Sequence, residues 1–161
     1  MPDEPLTSRP PSGVLRWALR LPIWLYRLGL GGLLGGRFVL INHVGRRTGL
    51  PRRVVVEVVG RDAANSVTYV VSAWGRRAQW YQNLRATPDT TIQVGRRTIA
   101  VTAVAVDADE GMRVLLRYRD EHPWATRALG RVLGLPLDTA GPAALRHLAS
   151  EAVPVVALRE R

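Results

Sequence analysis

The chain has 161 residues, 47% of them hydrophobic, with a formal net charge of +10, and all 23 basic residues are arginine. That length suits one domain with a true core. The absence of cysteine excludes disulfides, Fe–S clusters, thiolate zinc sites and a cysteine nucleophile, and the charge excess calls for anionic partners: nucleotide phosphates, polycarboxylates, nucleic acid or an acidic membrane face.

Residues 1–11 are proline-rich and read as a tail. Ser12 is a fair N-cap for an amphipathic helix over 12–30, with Arg9, Arg16, Arg20 and Arg27 on one stripe and Trp17, Leu21, Trp24, Leu25 and Leu28 covering much of the rest. Pro22 kinks or splits it, and the glycine-rich stretch to Gly36 ends it. Such a helix suits either a lid packed on the domain or a membrane surface. No apolar stretch is long enough to span a bilayer. The start, Met-Pro-Asp-Glu-Pro, lacks the basic character of a secretory signal. The expected location is cytoplasmic, with peripheral contact at the inner membrane face.

Strands follow over 38–44 and 53–60 around Val44-Gly45-Arg46-Arg47-Thr48-Gly49-Leu50-Pro51. The two glycines permit positive φ, and the arginines, the threonine hydroxyl and successive backbone N–H groups make an anion cradle chemically plausible. The competing reading is turn chemistry alone: Val-Gly-Arg-Arg-Thr recurs at 94–98 and Gly-Arg-Arg at 75–77. Glu57, in an otherwise valine strand, is expected to face water outside the sheet, with pairing to an arginine as the alternative. A third strand, 67–71, runs into Ser72-Ala73-Trp74-Gly75.

A short helix is predicted at Gln79–Leu84, stopping before Pro88. A second hairpin, 91–94 and 98–106, turns at Gly95. Asp107 or Asp109 caps a helix reaching about Glu121, with Met112, Leu115, Leu116 and Tyr118 as its apolar positions. Pro123 opens another, in which Trp124, Ala125, Ala128, Leu129, Val132 and Leu133 share one half. A helix near 142–150 precedes a last strand, 153–158. The organisation is one domain: barrel core 38–106, helices 107–152, final strand. Strands arriving as hairpins, without β-α-β units, argue for an antiparallel barrel with attached helices, and no Gly-x-Gly-x-x-Gly opens a helix. His43, His122 and His147 lack metal-ligand spacing; His43 and His122 are expected to be capping or surface residues.

The ordered set Gly45-Arg46-Arg47-Thr48-Gly49 with Pro51, then Ser72-Ala73-Trp74-Gly75, then Trp80-Tyr81-Gln82-Asn83-Leu84-Arg85-Ala86-Thr87-Pro88, then Val94-Gly95, resembles the deazaflavin-dependent nitroreductases and quinone reductases, a branch of the flavin-binding split β-barrels. The resemblance covers about 38–106. It implies an α+β antiparallel split β-barrel with flanking helices, a homodimer, and coenzyme F-420 as cofactor. It also implies hydride transfer from the reduced deazaflavin to a quinone, nitro compound or similar acceptor. Gly45, Arg46, Arg47, Thr48, Gly49 and Pro51 would then hold the phosphate or acidic tail. Ser72, Ala73, Trp74 and Gly75 would lie against the ring, with Arg76 or Arg77 near the tail and Trp80 and Asn83 fixing the short helix. Ser72 is expected to be the catalytic anchor. The proton donor is unassigned among Ser72, Tyr69, Tyr81 and water.

Two departures leave the acceptor open: Ala73-Trp74 stands where relatives carry a basic residue after the serine, and 122–150 contains no tyrosine. Rival readings are an FMN- or haem-binding split barrel, a non-catalytic cofactor carrier, and a nucleic-acid-binding protein. The last is disfavoured because the tryptophans fall in apolar helical patterns rather than among arginines on one strand face.

Overall fold

The computed structural model describes residues 36–161. The proposed tail at 1–11 and amphipathic helix at 12–30 lie outside the described residues. In chain order the elements are β1 (Phe38–Val44), β2 (Pro51–Asp62), β3 (Val67–Val71), a 3-10 turn (Gly75–Arg77), α1 (Gln79–Ala86), β4 (Asp89–Val94), β5 (Arg97–Ala105), α2 (Ala108–Glu121), α3 (Pro123–Leu133), α4 (Pro142–Glu151) and β6 (Val155–Glu160). The six strands close into an antiparallel barrel in the order β1-β2-β3-β6-β5-β4.

Alternation builds the interior. Val39 and Ile41 of β1 point inward with Val56 and Val58 of β2, Val70 of β3, Ile92 of β4, Val101 of β5, and Val156 and Leu158 of β6. These positions recur at the two-residue period of a pleated strand. Trp80, Tyr81 and Leu84 of α1 join the same cluster, so α1 plugs one end of the barrel. The outer face of β2, β3 and β6 meets α2, α3 and α4, where Val59, Val71 and Val155 pack against Val114, Leu115, Tyr118, Leu133, Leu145 and Ala149. Strand β6 is buried on both faces, which is why it reads as an unbroken apolar run.

The register between β2 and β3 shifts between Val58 and Gly60. Through this stretch β2 keeps the ordinary alternation of a strand: Val58 enters the barrel and Val59 meets the helices. Helix α2 is capped by Asp107, whose side chain accepts the Glu110 N–H at 2.8 Å. Helix α3 ends at Gly134, with φ of 67° and a Leu135 N–H to Gly130 carbonyl bond of 2.9 Å, the left-handed cap that glycine favours.

Three expectations change. The buried face of α2 is Gly111, Val114, Leu115 and Tyr118, with Met112 and Leu116 only half-buried. Helix α3 does not bury all of its apolar half: Trp124 is 68% and Val132 59% exposed, and Trp124 stacks under the Arg37 guanidinium at 4.9 Å. Glu57 lies on the outer face yet not in open water. Its side chain is 13% exposed, accepts from Arg37 at 3.1 Å and from the Tyr118 hydroxyl at 2.5 Å. Burial, then that bond, pushes the Tyr118 phenol far above its usual range.

Helix α3 and the turn after it meet closely at Gly130, where an added Cβ would sit 2.6 Å from the Leu135 carbonyl oxygen. Gly130→Ala is expected to cost about 1–3 kcal/mol, lowering the melting temperature by roughly 2–10 °C. Gly141→Ala, with nothing within 4 Å but at the N-cap of α4, should cost less, about 1 kcal/mol or below, because alanine is the poorer cap. Thermal melts followed by circular dichroism check both.

Candidate functional site

Between β1–β3 and helix α3 lies a cleft of about 680 Å3, lined from both faces of β2: Val54 and Val56 border the barrel interior, Arg53 and Val55 the outer face. Its apolar part comes from Phe38, Val55, Val71, Ala73, Leu129, Val132 and Leu133, with Trp74 and Trp80 contributing aromatic surface. Its polar part gathers His43, Arg52, Arg53, Arg77 and Gln79, with Glu57 nearer Phe38. Glu57 already answers Arg37. Arg46, Arg47, Arg52, Arg53, Arg76 and Arg77 form no ion pair among the described residues, so the basic part of the cleft is uncompensated. Apolar walls leading to a few convergent charged groups are the usual build of a small-molecule site.

The β1–β2 loop stands at this charged end. The Gly45 N–H donates to the Leu50 carbonyl at 2.9 Å, and the Gly49 N–H to the Gly45 carbonyl at 2.8 Å. Gly45 is closely surrounded: a Cβ there would meet the Thr48 hydroxyl at 2.5 Å and Arg52 Nε at 3.1 Å, so those side chains would have to shift. Gly49 has φ of 67° in open surroundings. The N–H groups of Arg47 and Thr48 make no hydrogen bond among the described residues, while their side chains are exposed. Pro51 opens β2 at the surface.

Asn83 holds this loop to α1. Its side chain is 3% exposed, and Oδ1 accepts both the Arg46 N–H at 3.1 Å and Arg46 Nη1 at 3.0 Å. Arg46 Nη1 also donates to Gln79 at 2.9 Å. The Asn83 Nδ2 then faces His43 Nδ1 at 3.0 Å. Because Oδ1 is committed to Arg46, Nδ2 must donate, so His43 Nδ1 accepts and carries no proton. His43 is therefore not the surface or capping residue expected: it is 6% exposed. Burial first, and the Arg52 charge second, lower its pKa from 6.5 to about 4. A signal for this was present. His43 follows Val39 and Ile41 at spacing two, which places it on the inward face.

The residues expected against the ring divide. Ala73, Trp74, Arg77 and Trp80 line the cleft. Ser72 does not: it is 0% exposed, its hydroxyl donates to the Gly75 carbonyl at 2.6 Å, and its N–H donates to the Pro154 carbonyl at 3.0 Å. In this geometry the serine ties off the turn after β3, and its proton is not offered to the cleft. Gly75, with φ of 65°, backs onto the end of α4, where an added Cβ would sit 3.3 Å from the Glu151 carbonyl oxygen. Arg76 leaves the cleft, donating from Nε to the Ser150 carbonyl at 2.8 Å. Among the candidate proton donors, the Tyr69 hydroxyl donates to Glu110 at 3.0 Å and Tyr81 is buried in the barrel core. Neither lines the cleft. Arg52, Arg53 and His43 were not among the expected site residues, although the two arginines lie only three and four positions past Gly49 of the Gly-Arg-Arg-Thr-Gly run.

The three Gly-Arg-Arg copies adopt three structures: the docked loop at 45–47, a 3-10 turn at 75–77, and an exposed hairpin turn at 95–97. Only the first is held by a buried amide. Among the described residues no cluster of His, Asp or Glu could hold a metal ion, and no helix is long and apolar enough to cross a membrane.

A family model described as F420H(2)-dependent quinone reductase matches residues 19–136. The Mycobacterium tuberculosis protein Rv3178, provisionally described as an F420H(2)-dependent quinone reductase, is 35% identical over 98 residues, 60% of this chain and 81% of that protein. A solved structure of an F420-H2 dependent reductase, FDR-A, aligns with a TM-score of 0.50 at 18% identity, covering 76% of this chain and 94% of its own. Another, described as a domain-swapped dimer, aligns with a TM-score of 0.54 at 17% identity over 91% of this chain and 100% of its own. These two share the fold.

The depressed pKa of His43 has a consequence for folding. The unfolded chain protonates this histidine near pH 6.5 and the folded chain near 4. Stability contributed by the neutral ring is full above about pH 6.5 and declines as pH falls toward 4, by up to about 3 kcal/mol. Urea unfolding of the protein and of His43→Gln across this range should show a steeper decline for the native sequence, with the two slopes differing between pH 4 and 6.5.

Proposed function

We propose a cofactor site for this chain, which belongs to the F420H(2)-dependent quinone reductase family: the cleft between β1–β3 and α3, with the β1–β2 loop at its anionic end. The protein is an oxidoreductase that uses coenzyme F-420 to pass a hydride to quinone-like acceptors. The observation that carries the site is the set of arginines without counter-charge, Arg52, Arg53 and Arg77, around an apolar cleft of about 680 Å3. Beside them the Arg47 and Thr48 amides and the Arg47 guanidinium have no partner among the described residues. A phosphate and a glutamyl tail fit that donor set, since charge-assisted bonds to arginine are among the stronger ones.

The reduced deazaflavin supplies the hydride when bound. The chain's part is to hold and orient. Arg47, Thr48, Arg52 and Arg53 bind the phosphate, and Arg77 extends the field toward the acidic tail. Ala73, Trp74 and Trp80 give the flat apolar contact that positions the ring, and Leu129 and Leu133 exclude water from the opposite side. Arg46 and Asn83 act indirectly, by fixing the loop that presents the amides. Ser72 and Gly75 set the turn that places Ala73 and Trp74. Arg76, drawn to α4, is left out. The exposed Val132 side chain at the cleft offers apolar surface that suits a hydrophobic quinone-like acceptor.

The protein is further proposed to act as a cytoplasmic homodimer with peripheral membrane contact. Support for the dimer is the likeness of fold to a chain described as a domain-swapped dimer. Support for the contact is the net charge of +10, which favours an anionic surface.

Titration with coenzyme F-420, followed by tryptophan quenching, tests the site. Arg47→Ala and Arg77→Ala should each weaken binding by about 10- to 100-fold with little change in melting temperature. Arg76→Ala should leave affinity within about threefold. Equal affinities for all three variants would remove the cleft from consideration.

A further inference from the structure

We propose that His43 is a cofactor-binding residue: a neutral imidazole held with its Nε2–H toward the cleft, donating to an oxygen of the coenzyme's phosphate-bearing arm. This rests on the site reading above and adds a donor to it.

Three observations carry the inference. First, the tautomer is set by a chain of directed hydrogen bonds. The Arg46 N–H occupies Asn83 Oδ1, which turns Asn83 Nδ2 to His43 Nδ1. The ring proton must then sit on Nε2. Second, His43 is 94% buried by its 6% exposure and lines the cleft. Its Nε2 has no hydrogen-bond partner among the described residues, while no fully buried side-chain nitrogen or oxygen there lacks one. The free nitrogen therefore meets the cleft rather than the barrel interior. Third, its place is beside the anion loop. His43 pairs with Arg52 across β1 and β2, and Arg52 Nε lies against Gly45.

A neutral donor is useful here. It adds a hydrogen bond to an anionic oxygen between cations without adding another buried charge, whose cost would be high. The nearby Arg52 charge and burial disfavour the imidazolium, so the donor stays neutral over the physiological range. A neutral imidazole is a recognised electrophilic partner for oxygen. Asn83 thereby does two things with one amide: it fixes the loop through Oδ1 and the histidine tautomer through Nδ2.

The test uses the full chain, 15N-labelled, at pH 7. Long-range proton–nitrogen correlation of the imidazole rings, assigned through the loss of one ring in His43→Gln, should show Nδ1 unprotonated and Nε2 protonated. Saturation with coenzyme F-420 should shift the His43 Nε2 and its proton. A deazaflavin that keeps the ribityl chain but lacks the phosphate arm should not. His43→Phe should bind coenzyme F-420 about tenfold more weakly and the armless compound unchanged. His43→Gln, which keeps an amide donor near the Nε2 position, should stay within about threefold of the parent. An Nδ1-protonated ring would overturn the proposal, as would equal losses for both compounds. Tryptophan quenching separates the two levels. Quenching by coenzyme F-420 with His43 signals unmoved removes the histidine alone, whereas no quenching at all removes the site.

Discussion

Asn83 is the joint on which the site depends. It lies on α1, the helix that plugs the barrel, and is buried where solvent cannot repair a broken bond. Both ends of its amide are spoken for across long sequence separations, by Arg46 and by His43. An unmade hydrogen bond at such depth costs about 1–3 kcal/mol, so the loop, the helix and the end of β1 settle together. The loop's outward amides and guanidiniums are then presented in one conformation before any ligand arrives, and pre-organisation of this kind lowers the entropic cost of binding.

The barrel supplies the frame for that joint. Inward valines and isoleucines fill its interior, and a second cluster seats three helices on the outer face of β2, β3 and β6. The cleft opens where this helix layer stands off from the sheet. Its floor is β-strand and its roof is α3, so one wall carries alternating side chains at fixed spacing and the other presents a helical stripe. Glu57 shows how the boundary is managed. A carboxylate on a valine strand is held by Arg37 and Tyr118, which leaves the excess positive charge to the arginines near the loop.

Much of this was legible in the chain. Turn glycines at 45, 49 and 95, the Asp107 cap and the Pro123 start are local signals, and the elements fall where those signals put them. The ordered motifs led to the barrel and its cofactor. What was not legible depended on distant partners. Ser72 sits in a motif that suggests a reactive hydroxyl, yet the turn to Gly75 consumes it. His43 and Asn83 are 40 residues apart, and no local pattern reveals that an amide orients an imidazole. Trp124 shares a helical half with buried residues, but it stays largely exposed, with the Arg37 guanidinium stacked on its ring.

Closure of the six strands has a consequence for how the molecule meets other molecules. Each described strand is hydrogen-bonded on both sides, so the ring presents no row of free N–H and C=O groups to which a foreign strand could zip. Protection against cross-β aggregation thus comes from topology itself rather than from lysine gatekeepers, which this chain does not possess.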